Sequence, residues 1–244
     1  MPSKVKTVWY CTSCGNETSK WMGRCPACGE WNTMKEGLSR EKSASSRDKS
    51  LVNVSEPVPL SLKEISVTED SRISVGSPEV ERILGGGIVP GSMILLGGEP
   101  GIGKSTLALQ IPLRCKTLRT LYVSGEESPK QIKLRAMRLL RQEDGEMEDN
   151  CTVLGETMVD NIIRHARELS PDLMVVDSIQ TIYSDNIESA ASSVTQIREC
   201  AAALLRFAKE SNIPVILIGH ITKDGSIAGP KVLEHIVDVV LQFE

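Results

Sequence analysis

One run of eight residues constrains this chain more than any other: Gly98-Glu99-Pro100-Gly101-Ile102-Gly103-Lys104-Ser105. It has the spacing of a phosphate loop, in which Gly, four residues and Gly-Lys precede a Ser or Thr. The flanks agree. Ser92-Met93-Ile94-Leu95-Leu96-Gly97 is a short apolar run that reads as a buried strand, and Thr106-Leu107-Ala108-Leu109-Gln110 reads as the start of a helix. Glycines let such a loop curl into a concave nest of N–H donors, and the helix N-terminus adds positive potential beside it. The pattern points to triphosphate binding, with residues 98–106 around the phosphates. Lys104 would reach the β- and γ-phosphates, and the Ser105 hydroxyl would hold magnesium (Mg2+).

The rest of the sequence past residue 61 supplies the scaffold such a loop needs. Short apolar runs predict buried parallel strands at 120–124, 173–177, 215–219 and 237–241. Between them, helical spacing of apolar residues appears over 129–141, 159–169 and 194–209. Ser193 and Gln196 offer a capping box to the last of these. A short helix is expected over 77–85, capped by Ser77, with Val80, Ile83 and Leu84 on its apolar face. Pro112 falls inside the phosphate-loop helix, so an early end or a kink is expected near Ile111. Strands alternating with helices imply an α/β fold with a mostly parallel sheet covered on both faces.

Candidate chemistry sits at the ends of those strands. Asp177 closes an apolar strand, where a carboxylate could take part in holding the Mg2+. Ser178 follows it. Glu126 and Glu127 follow the strand of Tyr122-Val123-Ser124, and strand-end neighbours point to opposite sides, so only one can polarise an attacking water. Glu126 is the expected one. His220, at the end of a further strand, is placed for sensing a γ-phosphate. His165 and His235 lie in helical stretches and receive no role.

The first 36 residues are a different kind of object. Cys11-x-x-Cys14 and Cys25-x-x-Cys28 are ten residues apart, and Gly15 and Gly29 follow the second cysteine of each pair. Four thiolates at this spacing suit a tetrahedral, structural zinc (Zn2+) with no open position. So small a piece cannot bury enough core alone, and the metal would supply its folding energy. All three tryptophans, Trp9, Trp21 and Trp31, fall here. They read as a mini-core, or else as a stacking surface for DNA or protein, with Trp21 the best placed to be exposed. Cys115, Cys151 and Cys200 read as inert core residues. Residues 37–60 are rich in Ser and charge without periodicity and read as a flexible linker, so the expected division is 1–36, 37–60 and 61–244.

The 244 residues carry a net charge of −4, which gives no global signal for nucleic acid. Residues 1–50, however, hold nine Lys and Arg against five Asp and Glu, so a basic front precedes an acidic body. No run approaches the ~18 apolar residues of a membrane span, and the N-terminus lacks the apolar core of a secretory signal, so a cytoplasmic protein is expected.

Taken together, the four-cysteine unit, the residues from Gly85 to Ser92, the phosphate loop, Tyr122 to Ser128, Val176 to Thr181, and Gly219 to Gly225 resemble the RadA (Sms) family of bacterial DNA repair proteins. The resemblance covers nearly all of the chain except the linker. It implies a RecA-like P-loop ATPase core preceded by a small zinc ribbon. It also implies a DNA-dependent ATPase of recombinational repair, which processes branched intermediates with the RecA recombinase and works as a homo-oligomeric, hexameric ring. The family's ATP-binding residues carry over to Gly98 through Ser105, its Mg2+ carboxylate to Asp177 and its water-polarising carboxylate to Glu126. Its DNA loops would fall near 184–193 and 222–231, the second containing Lys223 and Lys231, which could neutralise phosphates of single-stranded or branched DNA. The family continues with a Lys-Asn-Arg-Phe-Gly motif and a Lon-like domain that this sequence does not contain, so weak hydrolysis by this chain alone is expected. Two other readings stay open: a nucleotide-gated protein adaptor, and a RecA-fold phosphotransferase of the circadian-clock kinase type.

Overall fold

The structure is a computed structural model that describes residues 6–11, 17–18, 20–26, 29–39, 61, 63, 72–142, 146–190, 192–220 and 233–243. It divides into two compact units, Met1–Asp70 and Ser71–Glu244.

In the first unit the backbone forms a small antiparallel sheet that sequence periodicity does not announce. Its strands are β1 (Lys6–Cys11), β2 (Glu17–Thr18) and β3 (Met34–Ser39), in the order β2-β1-β3. Cys11 pairs with Met34, and Lys6 with Ser39. The third strand therefore runs past residue 36, the boundary expected for the four-cysteine unit. Cys11, Cys25 and Met34 are buried together, with Trp9 packed against them.

The second unit is built on a parallel sheet. Its elements are α1 (Pro78–Ile83), β4 (Met93–Gly98), α2 (Lys104–Arg114), β5 (Thr120–Ser124), α3 (Pro129–Gln142), β6 (Cys151–Leu154), α4 (Val159–Leu169), β7 (Leu173–Asp177), α5 (Val194–Ser211), β8 (Val215–His220) and β9 (Val239–Phe243), with a 3-10 turn at Ile179–Thr181. The six strands lie in the order β6-β5-β7-β8-β4-β9, every neighbouring pair parallel.

The strands sort their side chains by alternation. Met93, Leu95, Leu121, Val123, Met174, Val176, Val215 and Leu217 face one core, shared with α4 and α5. Ile94, Leu96, Tyr122, Leu173, Val175, Ile216 and Ile218 face the other, shared with α2 and α3. Both faces are covered, which is why these strands read as continuous apolar runs rather than alternating ones. Each fully buried Leu, Val or Ile contributes about 1.5–3 kcal/mol.

Several local expectations need correcting. The last strand is Val239–Phe243, two residues later than read, because Asp238 closes its entry: Asp238 Oδ2 accepts from the Met93 N–H at 2.8 Å and the Asp238 N–H donates to the Met93 carbonyl at 2.9 Å. Strand β6 was not foreseen; it has four residues, none of them fully buried. Ser77 makes no side-chain cap to α1 and Ile83 is exposed. That region is tied instead by Glu81, whose Oε1 accepts from the Ser74 hydroxyl at 2.5 Å and the Val75 N–H at 3.1 Å. Helix α2 runs through Pro112 to Arg114. The loss of the proline N–H is confined to the final turn, where the Cys115 N–H donates to the Ile111 carbonyl and Asn150 Nδ2 donates to the carbonyls of Pro112, Cys115 and Leu118 at 2.8, 2.9 and 3.1 Å. The capping contact of Ser193 to the Gln196 N–H is present at 3.3 Å. Among the described residues no helix is long and apolar enough to cross a membrane.

Candidate nucleotide site

The strand order puts β8 rather than β5 beside β4, so the connections leaving β4 and its neighbours diverge and open a crevice at their C-terminal ends. The loop after β4 lies in this crevice. Gly103 stands at the N-terminus of α2 with φ of +113°, a conformation that favours glycine. No side chain caps that terminus and no acidic residue lies in its first turn. The leading N–H groups of an eleven-residue helix are thus left to an external acceptor, and the helix dipole favours an anion there.

Lys104 is 2% exposed. Its ammonium donates to the carbonyls of Gly98 at 2.8 Å and Glu99 at 2.7 Å, spanning the loop. Burial lowers its pKa, while the carboxylates of Asp177 and Glu126 pull the other way. A buried ammonium held by carbonyls, with acidic groups nearby, fits a phosphate-binding position.

The acidic groups come from neighbouring strand tips. Ser124 pairs with Asp177 across β5 and β7, so both strands end at the same level. Asp177 is buried, and its Oδ2 accepts from the Tyr122 hydroxyl at 2.7 Å. That hydroxyl also lies 3.5 Å from the Ser105 carbonyl. One phenol oxygen therefore touches both the first turn of α2 and the end of β7, bringing Ser105 and Asp177 to one locality. Among the described residues no three His, Cys, Asp or Glu side chains gather as a metal cage. A hydroxyl with one carboxylate is instead the sparse protein donor set of Mg2+, which keeps most of its waters.

Glu126 and Glu127 diverge. Glu126 Oε1 accepts from the Ser178 hydroxyl at 2.6 Å and lies 3.5 Å from His220 Nε2. Glu127 instead forms an ion pair with Arg135 of α3. Ser178 and His220 thus converge on Glu126, while Gln180 Nε2 donates to the His220 carbonyl at 3.3 Å. His220 Nδ1 and Gln180 Oε1 are buried without a hydrogen-bond partner. Buried unsatisfied polar atoms such as these are costly unless a ligand or water completes them. A separate cleft of about 310 Å3 opens at the tips of β5 and β6, lined by Glu126, Glu127 and Glu156 with Ser124 and Thr157. Its three carboxylates would repel a polyphosphate seated within it.

The remaining sequence candidates distribute as follows. Cys11 and Cys25 are buried together, and the Gly29 N–H donates to the Cys25 carbonyl in a tight turn with φ of +77° at Gly29. Cys14 and Cys28 lie outside the described residues, as do Lys223, Lys231 and the loop at 222–231. The mini-core reading of the tryptophans holds for Trp9 alone. Trp21 is 57% and Trp31 70% exposed, and Arg24 stacks over the Trp31 ring at 5.9 Å. The segment near 184–193 is pinned by the buried Gln196, which accepts from the Ser184 N–H and donates to the carbonyls of Ser184, Ile187 and Ser189. Burial pushes the Cys151 and Cys200 thiols up to about 11 and about 12, so they stay protonated at neutral pH.

Sequence reasoning missed the role of Tyr122 as a hydrogen-bond donor to Asp177, and the Glu127–Arg135 pair. A polar hydroxyl within an otherwise apolar strand was the available signal for the first.

Comparison with known proteins agrees with this geometry. The family described as AAA domain matches residues 57–226, and the one described as rubredoxin metal binding domain matches residues 9–36. Curated proteins named DNA repair protein RadA align along almost the whole chain. That of Listeria monocytogenes is 48% identical over 244 residues, that of Halalkalibacterium halodurans 47% over 246 and that of Haemophilus influenzae 46% over 247. These alignments cover 99%, 99% and 100% of this chain but 52%, 52% and 53% of the relatives, so the chain spans about half their length. Among solved structures, the KaiC-like protein PH0186 of Pyrococcus horikoshii superposes with a TM-score of 0.51 at 22% identity, covering 70% of this chain and 80% of that one, a likeness of fold. With a parallel sheet, a glycine loop at an uncapped helix end and a metal-binding match at its front, the chain belongs to the AAA-domain family, and its homologues along its own length are RadA proteins.

Proposed function

We propose that this chain is the Mg2+-dependent ATPase part of a DNA repair protein, fronted by a Zn2+-stabilised module. The observation that carries the proposal is the buried Lys104 ammonium spanning an open loop at the uncapped N-terminus of α2. On this reading residues 98–106 wrap the triphosphate. Lys104 exchanges its loop carbonyls for the β- and γ-phosphates, and Ser105 with Asp177 holds the Mg2+, which neutralises charge on the phosphates when bound. Glu126 orients the attacking water and takes up its proton. His220 and Gln180, which carry buried unsatisfied atoms, contact the γ-phosphate. Cys11, Cys14, Cys25 and Cys28 hold the Zn2+, which the metal-binding family match and the buried pair Cys11 and Cys25 support.

The name of the relatives supports DNA as the polymer substrate, single-stranded or branched. Lys223 and Lys231 are the proposed phosphate contacts. Partnership with the RecA recombinase, processing of branched intermediates and a homo-oligomeric ring rest on the motif resemblance, and a cytoplasmic site follows from that role.

The test is ATP turnover with and without single-stranded DNA, comparing the unaltered chain with Lys104→Ala. Turnover is expected to rise with DNA and to fall at least about 100-fold in Lys104→Ala, the scale for removing one charge-stabilising donor. Equal turnover in both proteins would overturn the site. Hydrolysis indifferent to DNA would leave the nucleotide site standing and remove the DNA-dependent motor.

A further inference from the structure

The residues so far assigned would contact nucleotide, water or metal directly. Tyr122 would contact none of them. It lies in the middle of β5, fully buried, on the sheet face shared with α2 and α3. A tyrosine there must find a partner for its hydroxyl. It finds Asp177 Oδ2 at 2.7 Å and approaches the Ser105 carbonyl at 3.5 Å. A carboxylate rotates freely about its last bond unless something fixes it. With Oδ2 engaged by the phenol, the rotation is set and Oδ1 is left as the oxygen for a metal or its water shell.

We infer that Tyr122 is a positioning residue for magnesium: its hydroxyl holds Asp177 in the rotation that serves a cation shared with Ser105. This rests on the nucleotide-site reading above. The surroundings argue for a permanent donor: the phenol is fully buried, so its hydroxyl has no bulk water to turn to and stays on Asp177. Arg135 stands on the same side. Its burial favours loss of charge, but the bond to Glu127 and the charges of Glu127 and Asp177 outweigh that and keep it cationic. Glu127 in turn engages Arg135, which keeps the guanidinium from becoming a full counter-ion to Asp177. Without the phenol, Asp177 would be free to turn toward the Lys104 ammonium at the start of α2. It would then be lost as a magnesium partner.

The experiment measures affinity of the full chain for a fluorescent ATP analogue, with Mg2+ and with EDTA, in the unaltered protein, Tyr122→Phe, Asp177→Asn and the double variant. The gain in affinity on adding Mg2+ should fall about tenfold in Tyr122→Phe, the scale for one hydrogen bond to a charged group, while affinity in EDTA stays within about twofold. Asp177→Asn should lose the same gain, and the double variant should lose nothing more. A full magnesium gain in Tyr122→Phe, or additive losses in the double variant, would overturn the inference and make Tyr122 a packing residue. If Tyr122→Phe does not fold, 3-fluorotyrosine incorporated in place of Tyr10, Tyr122 and Tyr183 gives a second readout by fluorine NMR, assigned with Tyr10→Phe and Tyr183→Phe. The Tyr122 signal should move when Mg2+ is added to the nucleotide-bound protein and not when nucleotide is added in EDTA; an unmoved signal overturns the inference. Failure of the underlying site looks different. The unaltered protein would not bind the analogue under either condition, or Lys104→Ala would bind it equally well, and both readings would fall together.

Discussion

The two units solve the problem of staying folded in opposite ways. The sheet unit buries two aliphatic clusters, one on each face, with Met93, Leu95, Leu217 and Phe207 in one and Leu96, Leu109, Ile132 and Ile218 in the other. In the N-terminal unit Cys11, Cys25 and Met34 form a small buried cluster. Two of those three are thiols, and two of its three tryptophans face solvent. Apolar burial at about 25 cal/mol per Å2 can hold the first and has too little area to hold the second. The difference separates a unit held by buried area from one whose metal-binding family match supports a metal in that place. It also frees the aromatic surface of the small unit from structural duty.

Because all three tryptophans lie in the N-terminal unit, their emission reports on that unit alone, and the contrast can be broken experimentally. The largest effect is expected from removing the metal. A strong chelator, or Cys25→Ser, should convert the tryptophan emission to that of an unfolded chain, since structural zinc supplies on the order of 10 kcal/mol to such folds. Nucleotide affinity and the melting of the sheet unit should stay as they were. Emission indifferent to both treatments would mean the small unit holds itself together without a metal.

Next in size is a cavity in the sheet. Leu95→Ala, at a fully buried position of β4, should destabilise the sheet unit by about 2–5 kcal/mol in urea unfolding followed by far-ultraviolet circular dichroism. Tryptophan emission should unfold at an unchanged urea concentration. A shift of both signals together would show that the units unfold as one, against the contrast drawn above.

The smallest effect tests how the last strand is fastened. Asp238→Ala removes the acceptor of the Met93 N–H and the partner of Lys209, at 2.8 Å from each. The cost should be about 1 kcal/mol, mostly from the backbone contact, since the half-exposed ion pair is screened. Burial raises the Asp238 pKa, but the Lys209 and Met93 bonds outweigh it and hold the carboxyl below its ordinary 3.8. A depressed carboxylate stabilises the fold above that ordinary value and loses its contribution as pH falls through the lower folded one. The gap between the unaltered chain and Asp238→Ala should therefore close in strongly acidic solution. A gap that persists there would assign the cost to packing.

Much of the sheet unit was legible because its signals are local. Apolar runs marked β4, β5, β7 and β8, and helical spacing marked α3, α4 and α5. The residues that escaped did so for identifiable reasons. Strand β6 is short and half-exposed, so it has no continuous apolar run. Strand β9 was read two residues early because Val237 and Asp238 continue its pattern, while Asp238 is spent on the Met93 N–H. The sheet of the small unit was invisible since its sequence alternates poorly and its two-residue β2 exists only by pairing with β1. In the site, Lys104, Asp177, Glu126 and His220 were named from motif and strand ends. Ser178 was noted only as following Asp177, not as the partner of Glu126, and Tyr122 only as part of its strand, not as the partner of Asp177.

That division has a physical cause. A glycine loop between a strand and a helix is specified by about ten consecutive residues, so residues 98–106 could be recognised wherever the chain placed them. The hydroxyls of Tyr122 and Ser178 meet carboxylates 55 and 52 positions away in the chain. Which oxygen each reaches depends on β5 and β7 pairing with Ser124 opposite Asp177, and on the alternation that sends Tyr122 toward α2. Composition and spacing settled which groups the chain carries to its strand tips; register between distant strands settled which of them touch.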